Sequence, residues 1–350
     1  MTMNILAGRP WKGLGFALSL LMCTSAGATP ALVVDTASHQ VLYQEDAGAP
    51  WYPASTTKLM TAFVVFEALR SGKVDLTTPV VMTRNATQQD FLESDLAFGR
   101  AMTLEDALYA VITASANDVA VALAEAVATD EQAFVQKMNN AAARLGMTGT
   151  QFTNPNGLFD RQNFTTARDL ALLGMAIDRE FPEYRHFFLA SSVTIDGKEI
   201  KSNNLLLTRF HGTVGLKTGF LCASGRNFVG LATRQGKRLM VVILGATTER
   251  ERNERSAKLL TKAFDGELAP GAGLVDNLEN RTGMEPEDMR IRLCTDASAE
   301  YEAKRNALYP MGLAGHESFL RDDIPDRVHV IRTWQKTDSV DVPIPIPRPS

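Results

Sequence analysis

The order of its patterns does most to limit the folds open to this chain. Strand-like runs open it, at Leu32 to Asp35 and Val41 to Tyr43, and residues 31–48 read as a hairpin. Helical patterns then dominate 55–180, and strand-like runs return from about residue 193. Among the returning runs, Phe228-Val229-Gly230-Leu231-Ala232-Thr233 and Leu239-Met240-Val241-Val242-Ile243-Leu244-Gly245 flank a Gly-containing turn at Arg234-Gln235-Gly236-Lys237-Arg238, so they are antiparallel neighbours. Strand-bearing ends around a helical middle argue an α+β fold class: the ends build an antiparallel sheet and the helices pack on it. A length of 350 residues predicts one or two domains, and a net charge of −4 gives no reason to expect a nucleic-acid partner.

Three short motifs fall in order on this layout. The first is Ser55-Thr56-Thr57-Lys58. Tyr52-Pro53-Ala54 precedes it, and an apolar run without Gly or Pro, Leu59 to Leu69, follows and reads as a buried helix. Ser55 therefore sits in the first turn with Lys58 one turn on, on the same face. A serine hydroxyl needs a base beside it, and a lysine serves when burial or a neighbouring cation leaves it neutral. Ordinary capping by Ser-Thr-Thr with a solvated lysine is the competing reading. The second motif, Ser115-Ala116-Asn117, interrupts two helical stretches, the earlier of which starts at Thr103 in Thr-x-x-Asp form. Ser115 suits a proton relay between the two lysines, and the Asn117 amide suits the backbone carbonyl of a peptide substrate; a cap on the following helix by Asn117 or Asp118 is the alternative. The third, Lys217-Thr218-Gly219, lies on a strand. Period-2 geometry sends Lys217 and Gly219 to one face and Thr218 to the other, and Gly219 leaves room for a substrate backbone along the strand edge.

Together the motifs resemble the serine D-Ala-D-Ala carboxypeptidases, the low-molecular-mass penicillin-binding proteins of peptidase family S11. The resemblance extends through Phe134-Val135 with Met138-Asn139, Leu145-Gly146-Met147, Phe152-Thr153-Asn154-Pro155, Gly157-Leu158, Thr166 to Ala171 and Ser202-Asn203-Asn204-Leu205-Leu206, covering about residues 30–265. It implies a β-lactamase/transpeptidase-like fold, with a catalytic domain at 29–265. It also implies peptidoglycan stem peptides ending in D-Ala-D-Ala as substrates and β-lactams as covalent inhibitors. Carried over by position, Ser55 would be the acylated nucleophile, Lys58 its base, and Ser115 and Asn117 the second wall. Lys217 and Thr218 would hold the substrate carboxylate, with the N–H groups of Ser55 and Phe220 as the oxyanion hole. Arg252, in Arg-x-x-x-Ser256, matches the family's carboxylate-side arginine; its setting, Glu249 to Arg255, also reads as a solvated charge run. Phe220 stands where relatives often have a polar residue such as His.

Residues 1–28 read as a secretory signal: Arg9 and Lys12, an apolar run from Gly13 to Cys23, and Ala26-Gly27-Ala28 as a small-x-small cleavage site. An exported, periplasmic or wall-facing protein is expected. Removal of that segment leaves Cys222 and Cys294, an even pair suited to a disulfide beside the third motif, or two buried thiols. Neither the cysteines nor the five histidines show metal-ligand spacing, and no cofactor is expected. Residues 266–350 form a C-terminal extension of unreadable role. It turns rich in Gly, Pro, Asp and Glu through 290 and ends in a Pro-rich tail at Val342 to Pro349. No basic amphipathic helix suggests a C-terminal membrane anchor.

Two other functions compete. A β-lactamase on the same fold deacylates with a Glu acting through water, a residue that no motif singles out between Asn117 and Lys217. An idle wall-binding module would have lost polar members of the motifs, and all are present.

Overall fold

A computed structural model describes residues 29–268, 271 and 273–336, together with Met1. The leader expected over 1–28, Met1 apart, and the Pro-rich tail lie outside the described residues. The opening hairpin is β1 (Ala31–Asp35) and β2 (Val41–Glu45). A 3-10 turn at Ala54–Thr57 leads into α1 (Lys58–Arg70). Next come β3 (Pro79–Val81), α2 (Arg84–Thr87), β4 (Arg100–Thr103) and α3 (Leu104–Tyr109). A π-helical turn ends at Ser115, after which α4 (Asn117–Val127), α5 (Glu131–Arg144) and α6 (Ala167–Glu180) complete the middle. Then follow β5 (Ser192–Ile195), β6 (Lys198–Lys201), α7 (Leu206–Arg209), β7 (Thr213–Leu221), β8 (Gly225–Arg234), β9 (Lys237–Ala246) and α8 (Glu249–Phe264). The last elements are α9 (Arg290–Leu293), α10 (Ser298–Leu308), β10 (Val328–Ile331) and β11 (Trp334–Gln335).

The main sheet has the order β2-β1-β9-β8-β7, antiparallel throughout, so both ends of the strand-helix-strand layout meet in it. Alternation along its strands feeds two cores. Leu32 and Val34 of β1, with Met240, Val242 and Leu244 of β9, face the core shared with α1 and α6. Ala31 and Val33, with Val241 and Ile243, face the core shared with Ala257 and Leu260 of α8. Coverage on both faces explains why β9 reads as an unbroken apolar run. Helix α1 is buried from Lys58 to Phe66, as an all-round apolar helix must be.

The helical middle carries strands that its sequence hides. β3 and β4 pair with each other, and β11 adds to β4; these strands are too short to show an alternation. β10 likewise adds to β5, in parallel. The chain after α8 therefore folds back along the rest. Val275, Met289 and Ile331 enter the main core, and Cys294 is bonded to Cys222, just past the third motif (Cα–Cα 5.8 Å). Among the described residues no helix is long and apolar enough to cross a membrane.

This return also settles the charge run of α8. Glu251, Arg252, Asn253, Glu254 and Arg255 are all buried, so the solvated-face alternative for Arg252 does not hold. For Glu251, Glu254 and Arg255 the reason is the covering segment, whereas Arg252 turns to Asn203 and donates to its carbonyl. Arg305 of α10 bonds the Glu251 carboxylate, Arg255 lies 3.5 Å from it, and Glu254 accepts from the Ser318 hydroxyl (2.6 Å) and the Phe319 N–H (2.8 Å). Buried charges persist only when paired in this way.

Removing Arg305 leaves Glu251 under-compensated in the interior. Arg305→Ala should destabilise the fold by about 3 kcal/mol, the order found when a buried pair is broken. Lys304→Ala, next to it on α10 but in an exposed pair with Glu300, should leave the melting temperature unchanged. Thermal unfolding of the two variants checks the contrast.

Candidate active site

The three motifs converge on one cavity of about 600 Å³, lined by Ser55, Ser115, Asn117, Thr218, Gly219, Phe220, Arg226, Glu249 and Arg252 among others. Its floor is the 3-10 turn that carries Ser55. Asn227 of β8 holds the approach to that turn: its Nδ2 donates to the carbonyls of Tyr52 (2.9 Å) and Pro53 (3.0 Å), and its Oδ1 accepts from Gly245 N–H (3.0 Å). A buried Asn inside an apolar strand is the sequence signal that would have found it.

Two glycines permit the close packing. A Cβ on Gly219 would stand 2.9 Å from Ser55 N and 3.0 Å from Thr56 N. The space that glycine leaves on β7 is thus taken by the serine turn itself, where the sequence suggested room for a substrate backbone. Gly157 has φ +83°, and a Cβ there would lie 2.0 Å from the Ala54 carbonyl oxygen.

Lys58 is fully buried, one turn after Ser55. Its Nζ meets three acceptors: Ser55 Oγ at 2.9 Å, Asn117 Oδ1 at 2.7 Å and the Asn156 carbonyl at 2.7 Å. An ammonium donates to all three. A neutral amine has two N–H groups and one lone pair, and two of the three neighbours are carbonyl oxygens that only accept. The lone pair must then face Ser55, the one neighbour with a proton to give. Burial lowers the Lys58 pKa to about 7, with the negative charges of Glu93 and Asp118 acting the other way. Neither a capping role for Ser55 nor a solvated Lys58 matches this geometry.

The second motif sits where the π-helical turn breaks. Ser115 takes φ +64°, and α4 begins at Asn117 with no cap from its own N-terminal side chains. The capping alternative for Asn117 therefore falls away. Its amide is instead fully engaged: Oδ1 accepts from Lys58, while Nδ2 donates to the Phe91 carbonyl (3.1 Å) and Glu93 Oε1 (3.3 Å). This differs from the expected substrate contact, because the loop over α4 occupies the donor end. The relay expected at Ser115 is made on one side: Lys217 Nζ lies 3.0 Å from Ser115 Oγ, and among the described residues no hydrogen bond joins Ser115 to Lys58.

Lys217 is 2% exposed, and burial together with the charge of Lys58 holds its pKa well below the usual lysine value. An arriving carboxylate would favour its charged form. Arg252, also 2% exposed, donates to the Asn203 carbonyl (2.6 Å) and to Asn253 Oδ1 (3.1 Å). Burial brings its pKa down to about 10, against the opposing charge of Glu249, so it stays a cation at neutral pH. Phe220 is about half-exposed at the rim, with the Arg226 guanidinium 4.5 Å above its ring. Sequence reasoning missed Glu93, Asn156 and Asn227; the first belongs to a loop with no motif of its own, and the second acts through its backbone carbonyl, which no side-chain pattern marks.

The model of the family described as D-alanyl-D-alanine carboxypeptidase, peptidase S11, matches residues 22–248. The chain is 37% identical to D-alanyl-D-alanine carboxypeptidase DacC of Escherichia coli over 69% of its length and 62% of the relative's. It is 34% identical to DacA of Haemophilus influenzae, over 68% and 64%. The chain thus spans less than two thirds of the length of these relatives. Among solved structures, penicillin-binding protein 5 of Haemophilus influenzae superposes with a TM-score of 0.65 at 32% identity, over 68% of this chain and 71% of that one. Penicillin-binding protein D2 of Listeria monocytogenes, bound to cefotaxime, superposes with a TM-score of 0.61 at 31% identity, over 67% and 96%. With the family model covering well over half of it, and the serine, the lysines and strand β7 gathered in one cleft, the chain belongs to the D-alanyl-D-alanine carboxypeptidase family, peptidase family S11.

Proposed function

We propose that this protein is a serine D-alanyl-D-alanine carboxypeptidase that removes the terminal D-Ala of peptidoglycan stem peptides through an acyl-enzyme, and that β-lactams acylate the same serine. The observation that carries the reading is the trio of acceptors around Lys58, which leaves a neutral amine facing Ser55 alone. Lys58 takes the hydroxyl proton as Ser55 Oγ bonds to the carbonyl carbon of the penultimate D-Ala. The N–H groups of Ser55 and Phe220 receive the oxyanion. The tetrahedral intermediate collapses, the peptide C–N bond breaks, and the Lys217–Ser115 pair gives a proton to the departing amine. Water then hydrolyses the ester: it gives a proton back to the Lys217–Ser115 pair as its oxygen bonds to the acyl carbon, and Lys58 returns its proton to Ser55 Oγ as the ester bond breaks. Thr218, Lys217 and Arg252 supply donors for the free carboxylate of the substrate.

β-Lactam acylation rests on the same geometry and on the likeness to the Listeria protein, solved with cefotaxime and with ampicillin. A periplasmic or wall-facing site of action fits both substrate and cross-link, since a Cys222–Cys294 disulfide suits an oxidising compartment.

Incubation with labelled penicillin followed by mass spectrometry tests the reading. A stable adduct on Ser55, lost together with D-Ala release in Ser55→Ala, is expected. Rapid turnover of the label would point to a β-lactamase, and no adduct to an idle module. The acylation rate should fall as pH drops through about 7, where Lys58 takes up its proton, approaching tenfold per pH unit below it. Lys58→Arg should be nearly inactive, because a guanidinium stays charged. Arg252→Ala should slow release from peptides with a free terminal carboxylate more than from amidated ones; equal losses would remove Arg252 from carboxylate recognition.

A further inference from the structure

The loop between α2 and β4 lies over the start of α4. Phe91 and Asp95 take positive φ values there, and the loop is fastened by Ser94, whose buried hydroxyl donates to Asp118. Between them Glu93 turns its carboxylate onto Asn117. Oε2 accepts the backbone N–H of Asn117 at 2.9 Å, and Oε1 accepts from its Nδ2 at 3.3 Å. The carbonyls of Phe91 (3.1 Å) and Asp90 (3.4 Å) also accept from Nδ2.

Every group this loop presents to the Asn117 side chain is thus an acceptor. A primary amide has a donor end and an acceptor end on opposite sides. With acceptors alone on the loop side, one orientation is allowed: Nδ2 toward the loop and Oδ1 toward Lys58. If the amide turned over, Oδ1 would face a carboxylate and two carbonyls, and an N–H donor would face Lys58 and compete with Ser55 for its lone pair. The arrangement of the base thus depends on a residue that does not touch Ser55's hydroxyl. Glu93 receives two N–H donors and gives none, which is the bonding pattern of an ionised carboxylate. It also caps the first N–H of α4, where a negative charge is favoured by the helix dipole.

We propose that Glu93 is a positioning residue for the acylation step: it fixes the Asn117 amide with Oδ1 on Lys58, and its charge acts on the Lys58 amine. The inference rests on the reading of Lys58 as the base in a serine acyl transfer. The charged groups near Lys58 are Glu93 on the loop, Asp118 on α4 and Lys217 on β7. The two carboxylates favour its protonated form, and the Lys58 charge in turn disfavours that of Lys217. Loss of the Glu93 charge alone should therefore make Lys58 a neutral base at lower pH, while loss of its hydrogen bonds should leave the amide less well held.

The test compares wild type, Glu93→Gln and Glu93→Asp, with Asp118 and Lys217 left in place. Two readouts are taken: the pH profile of penicillin acylation, and the Nζ titration of Lys58 followed by 15N NMR on lysine-labelled protein, assigned with Lys58→Arg. Glu93→Gln should lower the acylation plateau roughly tenfold, the equivalent of one charge-assisted hydrogen bond. It should also move both the acid limb and the NMR midpoint to lower pH. Glu93→Asp, which keeps the charge, should keep the wild-type midpoint whatever its plateau. A Glu93→Gln protein that titrates at the wild-type pH would overturn the proposal even with a reduced plateau, because a merely structural role lowers the plateau without moving the midpoint. Equal shifts in both variants would overturn it too. If wild type forms no adduct while the NMR midpoint still moves in Glu93→Gln alone, the acyl-transfer reading fails and the placement of Glu93 against Lys58 stands.

Discussion

Everything in the cleft depends on an amine held out of water. Lys58 has no solvent to share its protons with, so each must find a protein acceptor, and three elements converge to provide them: the serine turn, the start of α4 and the loop at Asn156. Burial alone would make a neutral lysine; burial among carbonyls also gives its lone pair a direction. The same exclusion of water raises the strength of every nearby charge, which is why Glu93 and Asp118 matter at all to its protonation. The second lysine is almost as deeply buried, and the charge of Lys58 adds to its burial in disfavouring its own charged form.

The segment after α8 sustains this environment from behind. It buries the polar face of α8 by giving each carboxylate a partner, the Arg305 cation on Glu251 and the Ser318 hydroxyl on Glu254. That helix in turn holds Arg252 at the cavity wall. Cys294 ties the same segment to the residue three places past Gly219. A part of the chain with no motif of its own therefore sets the rigidity of the parts that have one.

Much of this was legible in the residues, and the limits are physical. β8 and β9 show in the sequence because each alternates between two cores, and α1 because it is apolar all round. β3, β4, β10 and β11 do not show, since strands of two to four residues carry no period and form only where a distant partner offers an edge. The motif residues sit where their order and setting suggest, around one cavity. What local pattern does not encode is how their hydrogen bonds are shared. Asn117 reads as a free amide until the loop carrying Glu93 is laid over it, and Arg252 reads as solvated until Asn203 meets its guanidinium. Gly219 announces a close approach but not of what, and the neighbour proves to be the Ser55 turn.

The place of β1 has a consequence for how the molecule comes to be. This strand, among the earliest described residues, lies between β2 and β9, with Val33 opposite Val241. Its inner edge therefore stays unpaired until more than two hundred further residues are available, and the apolar faces of α1 and α6 have no sheet to cover until then. Contacts of such sequence separation make assembly slow, and intermediates with a bare strand edge are prone to stick to one another. A chain stopped short of β9 would hold Ser55 and Lys58 but not the sheet that keeps water from them. Such a fragment is a candidate for proteolysis and aggregation, with no path to partial activity.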